Sequence, residues 1–145
     1  MTGLVFVDTT VLLYARDAAH PRKQERAASW MDYLWHHRKG RLSYQVLQEF
    51  YITVTSKLTP GMSKAVARSE VRTLLAWDPI AVDEAVMEKA WMIQDRHGLS
   101  WWDALIMAAA QLSGCTSLLT ENLQEGQTVG DVQVVNPFKH APEEL

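Results

Sequence analysis

Four consecutive apolar residues, Leu4, Val5, Phe6 and Val7, stop at a carboxylate, Asp8. A strand with one solvated face alternates apolar and polar positions, whereas a short run with no polar position is buried on both sides. Strands of that kind belong to parallel sheets covered by helices. An ionisable group directly after one sits at the rim of the sheet, where a cation or a ligand can reach it.

The rest of the chain supplies the helices. Residues 11–15 can begin the first. Pro21 suits the opening turn of a second over residues 22–37, with Ala27, Trp30, Met31, Leu34 and Trp35 on one stripe and Gly40 as its end. Residues 41–42 form a short strand, and Ser43 caps a helix over 44–57 that buries Leu47, Phe50, Tyr51, Val54 and Leu58. Pro60-Gly61 breaks it; Ser63 caps a helix reaching Trp77, and residues 80–82 read as a weak strand. Asp83 and Ser100 cap two further helices, stopped by Gly98 and Gly114, and residues 115–119 and 132–135 are the last strands. The expected fold class is α/β, a central, mostly parallel sheet of four to five strands flanked by helices. Ligands of such sheets bind beyond the carboxyl ends of the strands.

A chain of 145 residues fits one domain, expected over residues 1–137 with a polar C-terminal tail at 138–145. The longest apolar run, residues 104–110, is too short to span a bilayer. No basic region precedes the first apolar segment and Asp8 interrupts it early, unlike a signal peptide, so the cytoplasm is the expected location. The lone Cys115 excludes an internal disulfide and a multi-cysteine zinc site. The five histidines lack zinc-ligand spacing, and neither a glycine-rich phosphate loop nor a serine nucleophile elbow is present.

Net charge is −3, yet residues 16–41 hold seven of the fourteen Lys and Arg against three acids, while residues 83–145 hold three against ten. That asymmetry suits a basic lip beside an acidic pocket, and equally a solvated helix face.

Three acids stand out by position. Asp8 follows a buried strand, although Asp before two Thr also suits a helix cap. Asp103 stands three residues after Ser100, as in a capping box, but the helix it opens is apolar all round at 104–110 and therefore central. Glu49 borders the apolar stripe of its helix. Clustered carboxylates repel one another unless a divalent cation neutralises them. Trp101 and Trp102 could stack on bases but read better as core wall, as do Met87, Trp91 and Met92.

These blocks resemble the PIN-domain ribonucleases. Val5-Phe6-Val7-Asp8-Thr9-Thr10-Val11-Leu12-Leu13-Tyr14 is similar to the family's opening, in which the first acid follows the first strand. Ser43-Tyr44-Gln45-Val46-Leu47-Gln48-Glu49-Phe50-Tyr51 resembles the second block, with Glu49 at its acid, and Leu99-Ser100-Trp101-Trp102-Asp103-Ala104-Leu105-Ile106 the third, with Asp103 at its acid. Leu119-Thr120-Glu121-Asn122-Leu123-Gln124 resembles the fourth, where the family usually has Asp in place of Asn122. The chain's size is that of the VapC-type toxins of type II toxin–antitoxin pairs.

The resemblance implies a PIN fold and Mg²⁺- or Mn²⁺-dependent endoribonuclease activity on RNA. It also implies a cognate antitoxin and frequent homodimers, while the short apolar runs give no expectation of a membrane partner. Asp8 and Asp103 would bind the metal directly, and Glu49 would complete the pocket through a water or as ligand to a second metal. Thr9 and Thr120 would donate hydrogen bonds behind them, with Asn122 alongside as a neutral fourth group that weakens or removes a second metal site. Arg16, Arg22, Lys23 and Arg26 would hold the RNA backbone. The alternatives are a catalytically weakened or dead PIN-like domain that binds RNA or a protein, and a phosphate-transfer receiver-type domain. The last needs paired acids at the first strand and a late lysine, and no Lys lies between Lys89 and Lys139.

Overall fold

A computed structural model describes residues 3–144. Met1, Thr2 and Leu145, at the limits of the expected domain and tail, lie outside the described residues.

Strand β1 (Leu4–Val7) is central, with Val5, Phe6 and Val7 wholly buried. It pairs in parallel with β2 (Gly40–Arg41) on one side and β3 (Cys115–Leu119) on the other. Strand β5 (Val132–Val135) runs parallel to β3, and β4 (Thr128–Val129) closes the edge antiparallel to β5, giving the order β2-β1-β3-β5-β4. The chain leaves β1 towards one side and returns to β3 on the other. That reversal opens a crevice at the carboxyl ends of β1 and β3, where open α/β sheets bind ligands. Asp8 follows β1, and Thr120 and Asn122 follow β3.

Helices α1 (Thr9–Tyr14), α2 (Pro21–His37), α3 (Tyr44–Ser56), α4 (Lys64–Leu74), α5 (Glu84–His97) and α6 (Trp101–Leu112) cover the sheet. Ser43, Ser63, Asp83 and Ser100 each accept a hydrogen bond from the backbone amide three residues on, so local capping chemistry sets four helix starts. Helix α6 is buried at every position from 104 to 110 and packs on α5 and β3. Its amino end, and Asp103 with it, is thereby held against the interior.

Several expectations need correction. Helix α2 ends at Arg38 in the left-handed conformation (φ 54°), not at Gly40. Gly40 instead starts β2, where a Cβ would collide with the Trp77 ring. Residues 80–82 form no strand: Ile80 alone makes a bridge, to Ser43, before the exposed approach to the Asp83 cap. Strand β4 was not expected, although Gly130-Asp131 is a two-residue hairpin signal and Gly130 takes φ 59°. Trp35, Trp91, Met92 and Trp102 are exposed and are not core wall; on α5, Trp91 and Met92 stand well round the helix from the buried stripe of Val86, Ala90 and Ile93. In the segment expected as a polar tail, Phe138 packs against the core and Pro142 is buried. The Trp30 indole donates hydrogen bonds to the carbonyls of Pro137 and His140, both at 3.0 Å. Among the described residues no helix is long and apolar enough to cross a membrane.

Candidate active site

Asp8 is both cap and site. Its Oδ1 accepts from the Thr9 amide at 2.7 Å, which starts α1 directly after β1. Its Oδ2 accepts from the Thr120 hydroxyl at 2.7 Å and, more loosely, from the Thr10 hydroxyl at 3.4 Å. Oδ1 thus keeps an acceptor position open. Burial pushes the Asp8 carboxyl above the ordinary aspartate range, and the Asp103 carboxylate pushes the same way; the three hydrogen bonds pull against them without prevailing.

Asp103 reaches Asp8 from α6. Its backbone amide donates to the Ser100 hydroxyl, but its carboxylate accepts no hydrogen bond among the described residues, so the capping box is only half made. The free carboxylate is available to a ligand. Glu49 arrives from α3, where its Oε1 accepts from the Thr9 hydroxyl at 3.3 Å. Burial raises its pKa, and repulsion from Asp8 adds to that. The nearby Gln45 amide opposes the rise electrostatically, although its nitrogen and oxygen are buried without a partner of hydrogen-bond geometry. The charges of Asp103 and Glu49 both bear on Asp8, and Thr9 is bonded to Asp8 and to Glu49.

Asn122 differs. Its side chain is exposed, and only its backbone amide engages the site, donating to Thr120 Oγ1 at 3.1 Å. Thr120 therefore relays from the β3–β4 loop to Asp8. Its neighbour Glu121 accepts from Lys23 Nζ at 2.8 Å, a contact that raises the lysine's pKa. Lys23 also lies over the rings of Tyr14 and Phe138, at 4.6 and 4.9 Å. Arg16 is paired with Glu70. Of the four basic residues expected at the RNA backbone, Arg22 and Arg26 are the two without an ion pair among the described residues, and both lie on α2.

All the converging donors are hard oxygens, the chemistry of Mg²⁺ and Mn²⁺. Among the described residues no three His, Cys, Asp or Glu side chains form a ready cation cage. Mg²⁺ needs only one or two carboxylates and keeps several waters, so Asp8 and Asp103 could hold it. Thiol chemistry is disfavoured: burial pushes the Cys115 thiol up to about 12. Sequence reasoning missed Thr10 and Gln45. The signal for Gln45 was its place one helical turn before Glu49 on α3.

Three solved structures share this architecture. A toxin–antitoxin complex from Klebsiella pneumoniae aligns with a TM-score of 0.63 and 18% identity, over 92% of this chain and 97% of the other. The VapC20 toxin of Mycobacterium tuberculosis, described as cleaving the sarcin–ricin loop, aligns with a TM-score of 0.58 and 24% identity, over 79% and 86%. VapBC2 of Rickettsia felis, bound to a DNA fragment from its promoter, aligns with a TM-score of 0.58 and 15% identity, over 90% and 96%. At these identities the likeness speaks for the fold. No match to a curated protein is found. The PIN domain profile matches residues 5–124, a span that takes in Asp8, Glu49, Asp103 and Asn122. The chain belongs to the PIN domain family.

Proposed function

We propose that the protein is a Mg²⁺- or Mn²⁺-dependent endoribonuclease, the VapC-type toxin of a type II toxin–antitoxin pair. The observation that carries this is the coupling of Asp8, Glu49 and Asp103 at the crevice where the sheet reverses direction. A buried Asp8 carboxyl with the charges of Asp103 and Glu49 set beside it serves no structural end that a neutral cap would not serve better. Asp8 and Asp103 hold the cation, and Glu49 completes the pocket. Bound there, Mg²⁺ or Mn²⁺ supplies neutralisation of phosphate charge and acidification of a water. The chain does the rest. Thr120 and the Thr9 amide fix the Asp8 carboxylate, the Thr9 hydroxyl orients Glu49, and Arg22 and Arg26 offer cations to the RNA backbone with salt-dependent affinity.

The toxin assignment is supported by the fold shared with toxin–antitoxin proteins, one of them described as a toxin that cleaves the sarcin–ricin loop. A cognate antitoxin and a second copy of the chain are the protein partners of this reading. Exposed apolar side chains such as Ile52, Val66 and Met92 offer surface for them.

A second reading, a weakened or inactive domain that binds RNA or a protein, is favoured by the neutral Asn122 at the fourth position. Cleavage of structured RNAs with and without Mn²⁺, by the parent, Asp8→Ala and Asn122→Asp, separates the two. Metal-dependent cutting that Asp8→Ala abolishes supports the nuclease. Cutting only by Asn122→Asp supports a disabled one, and no cutting by any protein with RNA binding retained leaves the binding role.

A further inference from the structure

Beside the acids lies a pocket of a different character. Tyr44, Gln45, Gln48 and Glu49 of α3 form one wall; Val82 and Trp102, from the loop before α5 and from the start of α6, form the other. Glu49 belongs to both the pocket and the acidic cleft, and Trp102 directly precedes Asp103. The two tryptophans of this turn have separate fates. Trp101 stacks on Trp91 with ring centroids 6.1 Å apart, whereas Trp102 is 64% exposed and makes no polar or ring contact among the described residues. Tyr44, opposite, is 44% exposed. Between them stand Gln45, whose amide lies buried and lowers the pKa of the neighbouring Glu49 carboxyl, and Gln48, whose side chain is exposed.

We infer that this pocket is a nucleobase subsite of the active site, in which Trp102 stacks on the base next to the scissile phosphate; the inference rests on the nuclease reading above. Glu49 is shared by the acidic cleft and the pocket and Trp102 directly precedes Asp103, so a nucleoside whose phosphate is held at the acids lies beside the pocket. An aromatic face suits any base, because every base has a π-surface. The exposed Gln48 suits its edge: a base edge carries both donors and acceptors, and a primary amide offers both. A purely apolar occupant, such as a hydrophobic patch of a second copy, would strip the Gln48 amide of water without replacing its partners and would cover Glu49.

The test measures binding apart from cleavage. Fluorescein-labelled ten-nucleotide oligoadenylate and oligouridylate are titrated in EDTA with the parent, Trp102→Ala, Trp102→Phe and Asp8→Asn, at several salt concentrations. The oligomeric state of each is read by light scattering. Trp102 is solvent-exposed, so its substitution leaves the fold intact. Trp102→Ala is expected to weaken both RNAs about 5- to 150-fold, the loss of one stacked base. Its salt slope stays parallel to the parent's, since no phosphate contact is removed. Trp102→Phe recovers most of the affinity, and Asp8→Asn, assayed separately in Mn²⁺, does not cut. Equal affinity of Trp102→Ala and parent overturns the subsite while leaving the nuclease standing. A shift from dimer to monomer in Trp102→Ala without loss of RNA affinity also overturns it, assigning the face to a second copy. A parent that neither binds nor cuts RNA overturns both the subsite and the nuclease reading beneath it.

Discussion

Thr120→Val tests the electrostatic account of the site most directly. The substitution keeps shape and removes one hydroxyl that is 1% exposed, donates to Asp8 Oδ2 at 2.7 Å and accepts from the Asn122 amide at 3.1 Å. A hydrogen bond to a charged group contributes about 1.5–3 kcal/mol, and a neutral one about 0.5–1.5 kcal/mol. The loss should total about 2–4 kcal/mol, which lowers the melting temperature of a domain of this size by about 5–15 °C. The cost also depends on pH. Asp8 already has a folded pKa above its ordinary 3.8, and Thr120 is the foremost group holding it down. For a carboxyl whose folded pKa is raised, protonation favours the fold. Stability from this group is therefore present in acid and lost as pH rises through the folded value. Removing Thr120 raises that value further, so the gap between variant and parent should be widest near neutrality and narrow as the pH falls towards about 4. Urea denaturation of both proteins across that range measures it, with Thr120→Ser as a rescue. A gap that is independent of pH, or wider in acid, would refute the claim that Asp8 is the ionised acceptor.

Three further outcomes are expected. Trp30→Phe, which loses two hydrogen bonds and leaves a void at a fully buried site, should cost about 2–4 kcal/mol in urea denaturation and expose the segment after Pro137 to proteolysis. His140 is held above its ordinary 6.5 by Glu144 and then Glu125, so its contribution is full below 6.5 and fades as pH rises through the folded value; a melting-temperature profile of His140→Ala against the parent should converge at alkaline pH. Mg²⁺ or Mn²⁺ at a hundred times its dissociation constant should stabilise the fold by about 2.7 kcal/mol in a thermal-shift titration. Asp8→Asn should abolish that shift and Asn122→Asp should enlarge it.

Much of the fold was legible because local chemistry decides it. The serine and aspartate caps at 43, 63, 83 and 100 mark helix starts without reference to anything distant. The apolar runs at 4–7 and 104–110 could only be central. The end of α2 was not legible, since Arg38 takes a left-handed conformation that nothing in its neighbourhood demands, and Gly40 answers to Trp77, thirty-seven positions away. At the site, Asp8 could be read from its place after a strand. Asp103 could not be told from a capping residue, because the distinction lies in whether its carboxylate folds back on the Ser100 amide, and it does not. Glu49 sat inconspicuously beside a stripe until Thr9 and Asp8 were set against it by the fold.

The balance of charge around Asp8 bears on why the fourth position can be neutral. A helix cap at this point needs only an oxygen acceptor for the Thr9 amide, and Ser or Asn would provide one without the cost of a buried charge. The chain keeps the charge and surrounds it with three donors, while leaving the Asp103 carboxylate free to repel it. A bound cation would relieve such an arrangement while leaving Asp8 ionised. A fourth acid at position 122 would add repulsion where Glu121 is already neutralised by Lys23 and cannot share it. An amide there holds the loop through its backbone bond to Thr120 while adding no charge. On the proposed reading Asp8 and Asp103 would hold one cation, and Glu49 would support it through water more than bind a second metal.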